Sequence, residues 1–356
     1  MRTLLLLTLI AVAACTARTP PDPTPEPGSV SMFGEESKHL SNVRMLTNGG
    51  ENAEAYFPRE EDRLVFQSKR DGFEADQIYV MDLDGKNVRM LSNGKGATTC
   101  SYFWPGSRRV LYATTALAAD EPPAPPDRSK GYVWKLHPEF DIVAHDLDGG
   151  NFVRLTDTPG YDAEGTISRD GKWIVFTTCR DGDPEIYKMR SDGSEVTRLT
   201  NAEGYDGGPF FSFDGKKIVW RANRPETPEE KAAYVKLRDE GLVSPMRLEI
   251  FVMDADGSNV TQVTDNGAAN FGPFFHPDGE RIIFCSNLGT KGKRGMPNFD
   301  LWIIRTDGTG LERVTHFADF DGFPMFTSDG RTLVFCSNRD NGGTRDTNVF
   351  LADWKD

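Results

Sequence analysis

Six times along this chain a short apolar run closes on an aromatic residue, and that repetition constrains the fold more than any other feature. The anchors are Phe66, Tyr112, Phe176, Trp220, Phe284 and Phe335, in the runs DRLVF, RRVLY, KWIVF, KKIVW, ERIIF and RTLVF, at spacings of 46, 64, 44, 64 and 51 residues. Before four of the runs stands an Asp-Gly pair (Asp170-Gly171, Asp214-Gly215, Asp278-Gly279, Asp329-Gly330), the dipeptide that supplies the positive φ angles of a tight hairpin. After the runs come IYVMD, IVAHD, IYKMR, IFVMD and LWIIR, then a second Asp-Gly at 84-85, 148-149, 192-193, 256-257 and 307-308, then a short closing strand such as VTRLT. Four antiparallel strands in about 50 residues make one blade of a β-propeller.

The chain ends predict how the ring closes. Residues 42–49, NVRMLTNG, nearly repeat residues 87–94, NVRMLSNG, yet have no blade before them, while the sixth unit stops at Trp354 without an outer strand. The N-terminal segment is therefore expected to complete the last blade, which removes exposed sheet edges. The expected fold is all-β, a six-bladed propeller over residues 43–356.

These units, GYDGGPFFSFDGKKIVW followed by LEIFVMDADGSNVTQVT, resemble the six-bladed propeller repeats of TolB and its relatives, over residues 43 to 354. The resemblance implies a non-enzymatic interaction module, with cations and protein partners meeting near one channel mouth. Similar blades occur in peptidase-associated and sugar-lyase propellers, so the repeat speaks for fold more than for activity. Two departures from TolB are expected: no separate α/β domain before the propeller, and a lipid anchor.

The anchor is read from residues 1–15, MRTLLLLTLIAVAAC. One arginine precedes an apolar run from Leu4 to Ala14, too short to span a bilayer and typical of a signal peptide. Val12, Ala13, Ala14 and Cys15 match the bacterial lipoprotein cleavage box, which makes residues 1–14 the leader and Cys15 the lipid-attachment site. Several acyl chains would hold the protein on a leaflet without a transmembrane helix. Thr16 rather than Asp follows the cysteine, which points to the outer membrane, facing the periplasm. Residues 15–42 carry five prolines within eight residues and read as a solvated tether. The net charge of -13, from 41 basic and 54 acidic residues, argues against a nucleic-acid partner.

Fourteen residues before each anchor lies an ungapped column, Asn52, Thr98, Asp162, Asp206, Asn270 and Asp321, in the loop that enters the innermost strand. One reading is a ring of oxygen ligands lining the channel mouth, able to hold a partner or a cation such as Ca²⁺. The other starts from a second column four residues after the anchor, with Arg70, Arg180, Arg224 and Arg339 in the blades that carry Asn52, Asp162, Asp206 and Asp321. That match suggests structural bridges inside each blade. No organic cofactor is implied, and the metal question stays open.

Cys285 and Cys336 share a column in adjacent blades, too far apart to bridge, and are expected to be buried thiols. Cys100 and Cys179 stand at neighbouring blade ends, where a bridge is an open question. His39, His137, His145, His276 and His316 are scattered, and no hydrolase or zinc motif is present.

Blades 2 and 4 each carry about twenty extra residues in the same loop, flanking blade 3. The blade 4 insertion predicts a helix: Thr227 and Glu230 form a capping box, Pro228 takes the first turn, Gly241 ends it, and Ala233, Tyr234 and Leu237 make an apolar stripe. The blade 2 insertion joins a Pro-rich arm to Tyr132, Trp134 and Phe140. Tyr132, Trp134, Tyr234 and Leu237 are the candidate partner-binding residues, and packing onto the disc is the competing role. The sequence thus points to a scaffold or adaptor for an envelope protein, with peptidoglycan-associated lipoproteins implied by the resemblance. A carbohydrate-binding or uronide-cleaving propeller is the alternative.

Overall fold

The computed structural model describes residues 30–291, 298–344 and 346–356. Six four-stranded antiparallel sheets form the blades, each running outward from the strand that follows the loop column. Blade 1, for example, runs Glu51–Tyr56, Arg63–Lys69, Gln77–Asp82 and Arg89–Met90. The second and third strands are buried along nearly their whole length because neighbouring blades cover both faces, so they read as continuous apolar runs instead of alternating ones. The outermost strands of blades 1 to 5 have two residues, exposed in blades 2 to 4, too short to offer a pairing edge.

The anchor aromatics form the middle of each blade. Phe66, Phe176, Trp220, Phe284 and Phe335 are wholly buried. All five face an aromatic directly across on the third strand, Tyr79, Tyr187, Phe251, Trp302 and Phe350, and in the pairs of Phe66, Phe176, Trp220 and Phe335 the ring centroids are 5.5–6.1 Å apart. Such opposed pairs are the unit from which a sheet gains stability.

Blade 6 consists of Asp321–Phe326, Thr332–Ser337 and Asn348–Trp354, and its fourth strand is Leu40–Met45 from the other end of the chain. Leu40 pairs with Trp354 and Met45 with Phe350, so the ring closes as the near-repeat of residues 42–49 requires.

The structured region begins before residue 43, which corrects the expected extent of the tether. Phe33 packs on Phe317 at 4.9 Å, and a turn of 3-10 helix, Glu36–Lys38, carries Glu36 into the protein. There both Glu36 oxygens lie 3.1 Å from the guanidinium of Arg339, and both residues have no exposed surface. The physical reason is local composition: the five prolines all precede residue 30, whereas Phe33 and Glu36 match an aromatic and a cationic site on blade 6. Cys15 and the leader lie outside the described residues. No helix of the described residues is long and apolar enough to cross a membrane.

The two insertions join. Trp134–Lys135 pairs antiparallel with Leu242–Val243, so the blade 2 and blade 4 loops form one arch. The arch is reinforced where Lys135 donates to the Glu240 carbonyl at 2.6 Å and Lys130 pairs with the Glu240 carboxylate. The helix Pro228–Asp239 has its capping box in place, with the Thr227 hydroxyl accepting from the Glu230 amide at 3.1 Å.

Arg339 is held by two carboxylates, Glu36 and Asp321, in a site without water access. Arg339→Ala leaves both carboxylates buried without their cation. Urea unfolding should show a loss of about 3–5 kcal/mol.

Candidate functional site

The loop column does not line the channel, which corrects the expectation of a ring at its mouth. Asn52, Thr98, Asp162, Asp206, Asn270 and Asp321 are all buried and turned into the blades. Arg180 reaches Asp162 at 3.2 Å, Arg224 reaches Asp206 at 2.6 Å, Arg339 reaches Asp321 at 2.8 Å and Arg70 reaches the Asn52 amide oxygen at 3.0 Å. The same guanidinium groups lie over the blade aromatics, Arg180 at 5.4 Å from the Phe176 ring and Arg339 at 5.2 Å from Phe335. Among the described residues no three His, Cys, Asp or Glu side chains gather as a metal site. Each column carboxylate belongs to its own blade, so the six oxygens do not converge as Ca²⁺ requires.

What lines the channel is the residue two positions further on. Every innermost strand carries a bulge there, with the register slipping between Ala53 and Tyr56, Thr99 and Tyr102, Ala163 and Thr166, and likewise in blades 4 to 6. The bulged residues are Glu54, Cys100, Glu164, Gly208, Gly272 and Phe323, with φ between 53° and 62°. A bulge re-aims one side chain out of the sheet, and a left-handed backbone at four residues other than glycine is the kind of strain that collects at functional positions. All six line one central cavity of about 390 Å³. Sequence reasoning missed this column although it stands ungapped twelve residues before each anchor, because a bulge is invisible to period-two patterning.

Aromatic residues two positions further still close the cavity floor. Tyr56, Tyr102, Phe210 and Phe274 interlock with centroids 5.4–6.1 Å apart and separate this cavity from a small one of about 40 Å³ on the opposite side. The arch supplies the roof: the Trp134 ring lies 5.3 Å from Phe271 and 6.1 Å from Tyr205. The result is a chamber blind at one end and aromatic around its walls.

Its polar groups form one cluster. Glu164 accepts from the Thr177 hydroxyl at 2.7 Å, the Gly208 amide at 2.9 Å and the Tyr205 hydroxyl at 3.2 Å, and is ion-paired with Arg221. Arg221 also donates to Tyr205 at 2.9 Å and sits 5.2 Å from the Trp134 ring. Glycines at 207 and 208 make room: a Cβ on Gly207 would stand 2.0 Å from the Tyr205 hydroxyl, and one on Gly208 would stand 1.9 Å from an Arg221 nitrogen. Glu54 faces this cluster from blade 1. Burial, reinforced by the negative charge of Glu164, pushes its carboxyl up to about 7. Cys100 beside it is a free thiol pushed well above its usual range by burial, and Cys179, Cys285 and Cys336 are free as well. The question of a Cys100–Cys179 bridge is thus answered by two separate thiols.

The four candidate partner-binding residues have different fates. Trp134 is half-buried over the chamber, and Tyr234 is buried with its hydroxyl on Asp183 of blade 3. Leu237 is half-buried beside a second cavity of about 240 Å³ under the helix. Tyr132 alone stands out, 62% exposed.

Comparison with known proteins agrees with this architecture. Residues 125–244 match the family model described as the TolB beta propeller domain. A putative TolB from Agrobacterium tumefaciens superposes with a TM-score of 0.53 at 17% identity, over 86% of this chain and 91% of that one. The oligogalacturonate lyase of Vibrio parahaemolyticus superposes with a TM-score of 0.52 at 15% identity, over 87% and 93%. In sequence, the uncharacterized protein Atu1656 of Agrobacterium fabrum is 35% identical over 89 residues, which are 25% of this chain and 28% of that relative. The chain is a six-bladed β-propeller, and the part of it at residues 125–244 is similar to the TolB beta propeller domain. At these identities the solved structures speak for the fold alone.

Gly208→Ala should cost about 2–4 kcal/mol in chemical unfolding, since the new methyl displaces Arg221 from Glu164 at a backbone angle that favours glycine. Stability should also fall as pH rises. Burial raises Asp206 to about 6 and Glu185, Asp300 and Glu54 to about 7, so the folded state holds more protons than the unfolded chain from about pH 5 to 8. Thermal unfolding at pH 5.5 should therefore have a higher midpoint than at pH 8.

Proposed function

We propose that this protein is a non-catalytic binding propeller of the bacterial periplasm, carried on the membrane through Cys15, that holds a small ligand in the chamber under the arch. The observation that carries this reading is the union of the two insertions: they meet strand to strand and place Trp134 over the blind aromatic cavity. A concave site of this volume, mostly apolar with a few convergent polar groups, is the usual form of a small-molecule site. Binding rather than cleavage is favoured because Glu164 is already engaged by three hydrogen-bond donors and one guanidinium, an arrangement that orients, which leaves Glu54 as the single carboxylate of the described lining without an ion pair and no second free carboxylate to act with it. Among the described residues the chamber's charged groups are Glu54, Glu164, Arg221 and Lys135, without the imidazoles a uronide-cleaving site would be expected to bring.

A second reading rests on Tyr132, whose exposure on the arch suits an envelope-protein partner such as a peptidoglycan-associated lipoprotein. Trp134 and Tyr234 lend it little, because their rings are committed inward.

The test is a thermal-shift panel of sugars, amino acids, nucleosides and organic ions against the purified protein and its Trp134→Ala variant. At least one class should raise the unfolding midpoint, by the equivalent of about 2.7 kcal/mol at a hundred times its Kd, with the shift much reduced in the variant. A panel without effect, or a shift indifferent to Trp134→Ala, overturns the chamber as the binding site. Photocrosslinking from Tyr132 that captures one discrete envelope protein would establish the second reading.

A further inference from the structure

We infer that the ligand is an organic cation, a quaternary or protonated amine on an apolar body, held with its charge toward Glu54 and its faces against the aromatic walls. This rests on the chamber being a binding site. The argument begins with charge. Two carboxylates, Glu54 and Glu164, line the chamber. Arg221 is bound to Glu164, and the Lys135 ammonium is turned to the Glu240 carbonyl in the arch. Among the described residues Glu54 is therefore the chamber carboxylate without an ion pair of its own, and the positive charge acting on it is the Arg221 that Glu164 already holds.

The walls point the same way. Tyr161, Phe271, Phe299, Phe320 and Phe323 line the chamber together with Trp134. Phe271 and Phe299 stack at 5.0 Å, and Phe320 lies 6.1 Å from Phe299 and 5.9 Å from Phe323, so they form a continuous aromatic band. Ring faces attract a cation through their quadrupole, most strongly where water is excluded, and an aromatic cage is a recurrent recognition of quaternary ammonium groups. An anion would meet the Glu54 carboxylate and the negative faces of the rings. A neutral apolar ligand would leave Glu54 buried without compensation. The backbone commits to this arrangement, since Glu54 and Phe323 both hold left-handed angles that turn them inward.

Proton linkage adds a second signature. Glu54 is faced by Glu164, Arg221, Cys100 and Asp76, and its carboxyl titrates near 7. A cation favours the ionised form, so its affinity should rise between pH 5.5 and pH 8 and its binding should release a proton below neutrality.

Choline and its uncharged isostere 3,3-dimethylbutan-1-ol separate charge from shape. Calorimetric titration of the whole chain should show choline binding about tenfold more tightly at pH 8, a margin within the range of cation–π and carboxylate contributions. Glu54→Gln should remove most of that preference while leaving the isostere's affinity unchanged. Should that variant fail to fold, the pH series on the native protein decides, because a cation must gain affinity with pH and the isostere must not. Equal binding of both probes, or a choline preference that persists in Glu54→Gln, overturns the cation assignment while leaving the chamber as a binding site. Binding of neither probe overturns it as well, and the thermal-shift panel then judges the chamber independently.

Discussion

The pairing of a guanidinium with a polar side chain at one end of a blade is the interaction on which the rest of this structure depends. Arg70, Arg180, Arg224 and Arg339 each leave the second strand, lie over the blade's own aromatics and grip the residue that opens the innermost strand. Arg180, Arg224 and Arg339 do so through an ion pair, and Arg70 through the amide of Asn52. A buried carboxylate would be costly alone, and its cation would be costly alone; together they fix where the innermost strand starts. In those four blades the fixed start sets the bulge two residues later, which aims its side chain at the central axis, and blades 2 and 5 carry the same bulge without the arginine. Arg339 extends the same logic to ring closure, because its second carboxylate, Glu36, comes from the segment that supplies the last outer strand.

The bulges and the arch then divide the labour of making a site. Six equivalent positions around the axis are occupied by unlike residues: two glutamates, a cysteine, two glycines and a phenylalanine. Symmetry of the backbone thus produces an asymmetric chamber, with acids on the blade 1 and blade 3 side and open space at blades 4 and 5 into which Arg221 and the aromatics project. The arch converts this open funnel into a chamber and in doing so turns Trp134 and Tyr234 from surface residues into walls and supports. That is why residues that look like a docking surface in the sequence serve enclosure in the structure.

Much of the fold was legible because blades repeat. Apolar runs that close on an aromatic, Asp-Gly turns at constant offset and the near-copy of residues 87–94 at 42–49 are local features, each with one physical meaning, and their period identified the ring and its closure. The Asp and Arg columns were legible for the same reason, though whether they faced the channel or each other was not. The helix at 228–239 was legible from its capping box. The start of the structured region was not legible, because Glu36 looks like any solvated acid until a partner 303 residues away is in view.

By itself, then, the sequence determined the number of blades, the closing strand, the matched columns and the helix, all of which follow from short-range patterns repeated in register. Only the tertiary structure decided which column reaches the axis, that two loops more than a hundred residues apart pair to form a roof, and that Glu54 and Glu164 share one chamber with one arginine between them. These depend on bulges and on contacts across blades, and neither leaves a period in the chain from which it could be read.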